Sequence, residues 1–122
     1  MQAERRVHRS ANTREALTFQ LAATAERTAC RSLVLAERGG LMIAEVGGDT
    51  ASEEIAALAP TLAPGVTRWH GTIPTSAGDR LVTVTPVASA LGPLFLCAVG
   101  GLICVLGPEL SSGGQGVVRI LS

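Results

Sequence analysis

Two short apolar runs, residues 33–37 and 41–46, flank the polar turn Arg38-Gly39-Gly40 in the stretch SLVLAERGGLMIAEVGG. Gly reaches positive φ without steric cost, so two strand-like runs joined through Gly-Gly read as a β-hairpin. Successive side chains of a strand point to opposite faces, which puts Leu33 and Leu35 on one side and Val34 and Ala36 on the other. Leu41 and Ile43 alternate with Met42 and Ala44 in the same way. Both faces of the hairpin are apolar, and such a hairpin belongs in a sheet covered on both sides, usually by helices. The rest of the chain is expected to supply the covers.

Upstream, Asn12 or Thr13 caps a helix and Glu15 closes a capping box. Residues 13–30 read as this first helix, with Leu17, Leu21, Thr24, Ala25 and Thr28 in one weakly apolar stripe. Phe19 falls almost opposite the stripe and calls for a second contact, with another chain or with its own sheet. The expectation is its own sheet. Downstream of the hairpin, Gly47-Gly48-Asp49 breaks the chain, and Thr50 with Glu53 forms a second capping box. Ile55, Leu58, Ala59 and Leu62 then recur on one face of a helix over residues 51–63. Pro60 removes a backbone hydrogen bond and is expected to kink or shorten that helix. Pro64-Gly65 ends it.

Residues 66–74, VTRWHGTIP, read as a third strand and residues 75–79 as its turn. Residues 80–86, RLVTVTP, alternate cleanly, with Leu81, Thr83 and Thr85 facing away from Val82 and Val84. Residues 94–99, LFLCAV, make a fifth strand buried on both faces. After Gly100-Gly101 the pattern divides: residues 102–106 read as a sixth strand or as the lead into a last helix. Residues 109–121 place Leu110, Val117, Val118 and Leu121 at helical spacing. Gly113, Gly114 and Gly116 each weaken that helix by up to ~1 kcal/mol relative to Ala, so it forms only if docked. No residue from Leu81 to Pro108 is charged, and residues 88–106 are long and apolar enough to be a membrane-span candidate. Pro86 and Pro93 interrupt that stretch, three glycines lower its helix propensity, and residues 81–86 alternate at period two. Buried strands are therefore the expectation, and a membrane-anchored protein is the unfavoured alternative.

A chain of 122 residues makes one domain. Its aromatic share of 2% leaves Leu, Val, Ile and Ala to build the core. All the basic residues are Arg, and the net charge of zero argues against a nucleic-acid platform, which needs a basic stripe. Residues 1–11, with Arg5, Arg6 and Arg9 against Glu4, read as a flexible basic arm, either frayed or docked on an acidic partner, ahead of a single domain over residues 12–122. The arm has no apolar segment of the secretory kind, so a cytoplasmic protein is expected.

Enzymatic constellations are nearly absent. His8 and His70 have no carboxylate at a metal-ligand spacing, no Lys exists to serve a phosphate-binding loop, and neither glycine pair opens a dinucleotide fingerprint. No catalytic, metal or cofactor residue is assigned. Cys30, Cys97 and Cys104 lack zinc spacing. A hairpin over residues 94–106 would oppose Cys97 and Cys104 in the wider, hydrogen-bonded type of pair, which disfavours a disulfide. All three are expected as reduced thiols.

The order helix, two strands, helix, three strands, helix resembles the roadblock/dynein light-chain family. The likeness rests on SLVLAERGGLMIAEVGG as the first hairpin, EEIAALAPTLAP as the second helix, and RLVTVTPV with LFLCAVGG as the last two strands. It implies an α+β sandwich: a five-stranded antiparallel sheet with the second helix on one face and the first and last helices on the other. It also implies a homodimer joined edge to edge through the third strands, with the second helices packed together. Bacterial members of the family regulate small Ras-like GTPases, and others act as adaptors. No catalytic residue is carried over. The chain departs from the family pattern at Pro60, at residues 102–106 and in its Gly-rich last helix, which leaves the docking of that helix open.

Within this frame Arg68, Trp69 and His70 on an edge strand offer an aromatic anchor and unpaired backbone groups, joined by Ile55, Leu58 and Leu62 of the second helix. The alternative for Trp69 is that it covers its own core. The functional expectation is a non-enzymatic dimeric regulator or scaffold that binds itself and a small Ras-like GTPase or another signalling partner. The competing expectation is a profilin- or GAF-like ligand sensor with a sizeable apolar pocket between sheet and helix.

Overall fold

The structure is a computed structural model that describes the backbone of residues 2–65, 67–90, 92–100 and 103–121, with side chains within 13–100 and 112–121. Helix α1 spans Gln2–Thr28, strand β1 Ser32–Glu37, β2 Met42–Val46, and helix α2 Ser52–Leu62. Strands β3 (Trp69–Thr75), β4 (Gly78–Ser89) and β5 (Gly92–Val99) follow, then helix α3 (Ile103–Leu121). The strands form one antiparallel sheet in the order β2-β1-β5-β4-β3. The two edges are β2 and β3.

Alternation along the central strands divides the core into two layers. Val34, Ala36, Val82, Val84, Phe95, Cys97 and Val99 point towards α2 and meet Ile55, Ala56 and Ala59. Leu33, Leu35, Leu94, Leu96 and Ala98 point the other way, against Leu17 and Leu21 of α1 and Val117 of α3. A fully buried Leu contributes about 1.5–3 kcal/mol, so a strand buried on both faces has reason to be apolar throughout. This explains the uncharged stretch that has the length of a membrane span. Its middle is β5, lying between β1 and β4. No helix among the described residues is long and apolar enough to cross a membrane.

The β1–β2 turn closes through Gly40, at φ +84°, whose N–H reaches the Glu37 carbonyl at 2.9 Å. A Cβ on Gly40 would stand 3.1 Å from the backbone of Ala57, so the same glycine lets the turn rest against α2. In α1 the stripe read from sequence is the buried one, and its threonines are satisfied locally. Thr24 donates to the Gln20 carbonyl and Thr28 to the Thr24 carbonyl, each at 2.9 Å.

Several expectations are corrected. Helix α1 begins at Gln2, so Asn12 and Thr13 lie inside it and cap nothing, and the basic segment before them shares its helical backbone. Phe19 turns away from its own sheet and is 75% exposed. The Thr50–Glu53 capping box does not form. Ala51 is the N-cap and makes no side-chain cap; the turn before it is held by Asp49, whose carboxylate accepts the Ala51 N–H at 2.8 Å and whose carbonyl accepts the Ser52 N–H at 3.1 Å. The chain after Gly101-Leu102 enters α3 at Ile103 rather than adding a sixth strand, so no hairpin opposes Cys104 to Cys97. Pro60 sits in the last turn of α2, close to where the helix ends at Leu62.

The Gly-rich last helix docks because of its glycines. A Cβ on Gly113 would stand within 2.7 Å of the Thr24 side chain, one on Gly114 2.9 Å from Val87, and one on Gly116 against the Gln20 amide. Their hydrogens let α3 approach both α1 and β4. Strand β4 runs on past Pro86 because β3 pairs with it only as far as Val84. Beyond that point one side of β4 has no partner strand, and a residue without an N–H is tolerated there.

Candidate functional site

The residues singled out at the third strand lie on an open edge, but they do not share one surface. Trp69 pairs in register with Val84 and faces α2, where it packs half-buried on the same core as Leu62. Arg68 and His70 flank it and point to the opposite face. Arg68 donates from Nε to Thr85 Oγ1 at 3.1 Å, and His70 Nδ1 lies 2.7 Å from Thr83 Oγ1. A surface built around Trp69 on the α2 side therefore excludes the side chains of Arg68 and His70.

On the α2 side the sequence grouping is also incomplete. Ile55 is fully buried in the core and is removed from the interface set; it supports the helix from beneath. Leu58, one turn further on, is 40% exposed, and Leu62 is half-buried. Glu54 shows which way this side of α2 looks: its carboxylate accepts the Ser76 N–H at 3.0 Å and also the Ser76 hydroxyl. Ser76 lies in the β3–β4 turn, so Glu54 and Leu58, four residues apart on one helix side, both overlook β3. The result is an apolar strip of Leu58, Leu62 and Trp69 beside the free backbone of β3.

Two features of this strip were not read from sequence. Gly71 follows Trp69 on the same strand face, and a Cβ there would stand 2.8 Å from the indole ring. The missing side chain is the seat that lets the indole lie along the strand, a pairing of aromatic and glycine known to stabilise edge positions. The second is the tie at the start of α2, where Arg80 Nε donates to both Asp49 carboxylate oxygens, at 2.9 and 3.2 Å. The Asp49 carboxyl is held below its usual range, first by the Ala51 N–H and then by Arg80. Glu54 is lowered likewise by the two Ser76 hydrogen bonds. Together these contacts fix α2 against the β3–β4 hairpin.

On the opposite face α3 and the one-sided end of β4 border a groove of about 630 Å³, lined by Pro86, Val87, Gly114 and Val118 among others. It is open along its length, whereas small-molecule sites enclose most of their ligand. No group of three or more His, Cys, Asp or Glu side chains among the described residues is placed to hold a metal ion.

No protein-family model matches the chain, and no curated protein is similar to it in sequence. Solved structures share its fold. MglB of Myxococcus xanthus superposes with a TM-score of 0.65 at 9% identity, with 88% of each chain covered. The gliding protein MglB of Thermus thermophilus gives 0.64 at 15% identity, covering 88% of this chain and 90% of that one. A Roadblock/LC7 domain from Streptomyces avermitilis gives 0.65 at 22% identity, covering 85% and 96%. The architecture is the roadblock fold.

Proposed function

We propose that this chain is a non-enzymatic regulator or scaffold that acts in the cytoplasm as a homodimer and binds a small Ras-like GTPase. The observation that carries this reading is the strip of Leu58, Leu62 and Trp69 beside an unpaired edge strand. An edge strand presents a row of unsatisfied backbone groups, and proteins that leave one open pair it or cover it. The other edge is less suited to pairing: β2 carries a bulge opposite Leu35 and Ala36, which interrupts a regular ladder. Pairing two β3 strands would join the sheets and bring the two α2 helices side by side, with indole and leucine anchors at the centre. Likeness to roadblock-fold proteins supplies the GTPase as the partner class.

Leu58→Arg tests the dimer, because Leu58 packs little against its own core. The melting curve is expected to stay within about 0.5 kcal/mol of the parent. Self-association should weaken at least tenfold, as for the loss of a central anchor of about 1.4 kcal/mol or more. Trp69→Arg should do the same at some cost to folding. A monomer at high micromolar concentration in the unmodified chain would remove the proposal. The partner class is tested by capture of GTP-loaded against GDP-loaded Ras-like GTPases of the native host. Binding of neither form would refute the GTPase assignment and leave the dimer standing.

A further inference from the structure

The open edge of β3 presents few backbone groups, and the pairing on its other side fixes which ones. The N–H and C=O of a strand residue point the same way and alternate in direction along the strand. Gly100 N–H donates to the Leu81 carbonyl at 2.8 Å, so Leu81, Thr83 and Thr85 direct their backbone groups towards β5. Arg80, Val82 and Val84 direct theirs towards β3, where their partners are Ile73, Gly71 and Trp69. The backbone groups of His70, Thr72 and Pro74 therefore turn to the open edge. Pro74 has no N–H, so at its position the edge offers a carbonyl alone.

We propose that two copies of the chain join their β3 strands antiparallel about a two-fold axis at Gly71, a register that rests on the homodimer proposed above. In a two-fold contact residue i meets j and j meets i. With the axis at Gly71, His70 of each copy lies opposite Thr72 of the other, in a pair that exchanges both hydrogen bonds. Every N–H that β3 turns outward is then bonded to another strand residue, and the Pro74 carbonyl receives the Arg68 N–H of the second copy. With the axis at His70 or nearer the start of the strand, Thr72 would fall opposite Arg68 or an earlier position, outside β3. With the axis at Thr72 or beyond, Pro74 would face His70 or Thr72, whose carbonyl would then lack a donor.

The side chains agree with this axis. On the α2 side Gly71 meets Gly71 of the second copy in the non-hydrogen-bonded type of pair, where Cα atoms approach to about 4.5 Å and side chains crowd most. Within one copy a Cβ on Gly71 would already stand 2.8 Å from the Trp69 indole, so the ring leans along the strand over Gly71, towards the axis. The two indoles thus arrive from opposite ends over a bare pair of glycines and meet offset, as aromatic rings favour. Gly71 becomes a specificity-determining residue: an edge strand with a side chain at the opposing position would collide with the rings, so β3 selects a second copy of its own chain. On the other face the exposed side chains of His70 and Thr72 stand opposite each other across the seam.

Cysteine pairs in the full chain read the axis directly. Opposed residues of a hydrogen-bonded pair have Cα atoms about 5.5 Å apart, within disulfide range. Residues displaced by two positions along the strand stand roughly 8–9 Å apart, beyond it. A mixture of His70→Cys and Thr72→Cys chains is expected to form a disulfide-linked dimer under mild oxidation, while neither variant alone exceeds the background of the unmodified chain. A linked dimer from His70→Cys alone, or from Thr72→Cys alone, would move the axis and overturn the inference with the β3 dimer intact. If the mixture gives no linked dimer although sedimentation shows a dimer, the register and the β3 pairing fall together; a monomer removes the proposed homodimer itself. Gly71→Ala is expected to weaken self-association at least tenfold, and an unchanged dissociation constant would overturn the placing of the axis at Gly71.

Discussion

Glycine 113 and glycine 116 look alike in the sequence and differ in what surrounds them. At Gly113 a methyl group would press on Thr24, a branched side chain on a packed helix whose hydroxyl is bonded to the Gln20 carbonyl. At Gly116 it would meet the end of Gln20, which can swing aside. Replacing Gly by Ala inside a helix gains about 1 kcal/mol. Overpacking against a fixed neighbour costs about 1–3 kcal/mol. Gly113→Ala is therefore expected to destabilise by about 1 kcal/mol, and Gly116→Ala to be neutral or stabilising by up to ~1 kcal/mol, in denaturant titrations. Equal effects at the two positions would contradict the packing of α3 on α1. Cys97 supplies a second residue-level test. It is a free thiol that burial in the α2-side core pushes up to about 12. At neutral pH it is expected to resist thiol reagents in the folded chain and to react on unfolding, which mass spectrometry of labelled peptides reads directly.

At the scale of elements, the position of α2 is decided by two acidic side chains rather than by its own capping signals. Asp49 closes the helix start and binds Arg80 of β4, and Glu54 holds the β3–β4 turn through Ser76. Removing a carboxylate that accepts a backbone N–H and is also charge-paired costs about 1–2 kcal/mol, the loss expected for Asp49→Ala in chemical denaturation. The pH dependence follows from the direction of the shift. A carboxyl with a lowered folded-state value stabilises the fold fully above its ordinary value of about 3.9. That contribution is lost as pH falls below it through the folded value. Stability of the parent should therefore decline below about pH 4 more steeply than that of Asp49→Ala. Identical acid limbs would show that the tie contributes nothing.

For the whole molecule, the layers leave unequal surfaces. Helix α2 lies over one face with Leu58 turned towards the open edge, while α1 and α3 pack side by side over the other. That division leaves the β3 strip on the α2 side of the sheet. It also separates Trp69 from Arg68 and His70, which a reading of adjacent letters had grouped.

The architecture was legible because its determinants are local and periodic. The period-two run of residues 81–86 marked β4, the doubly apolar run at residues 94–99 marked the centre of the sheet, and Leu17, Leu21, Thr24 and Thr28 marked the buried side of α1. The dual apolar faces of the first hairpin already demanded helices on both sides. Spacing could not tell which side chain on a shared helix face is spent inside: Ile55 and Leu58 are one turn apart, yet the first is sealed and the second half-open. Nor could it show that Asp49 rather than Thr50 holds the turn before α2, that the α3 glycines are points of contact, or that Gly71 is the seat of Trp69. These outcomes depend on what another element brings within a few ångströms. Close-packed interiors respond to single methyl groups, and no pattern along one segment records its neighbours across the fold.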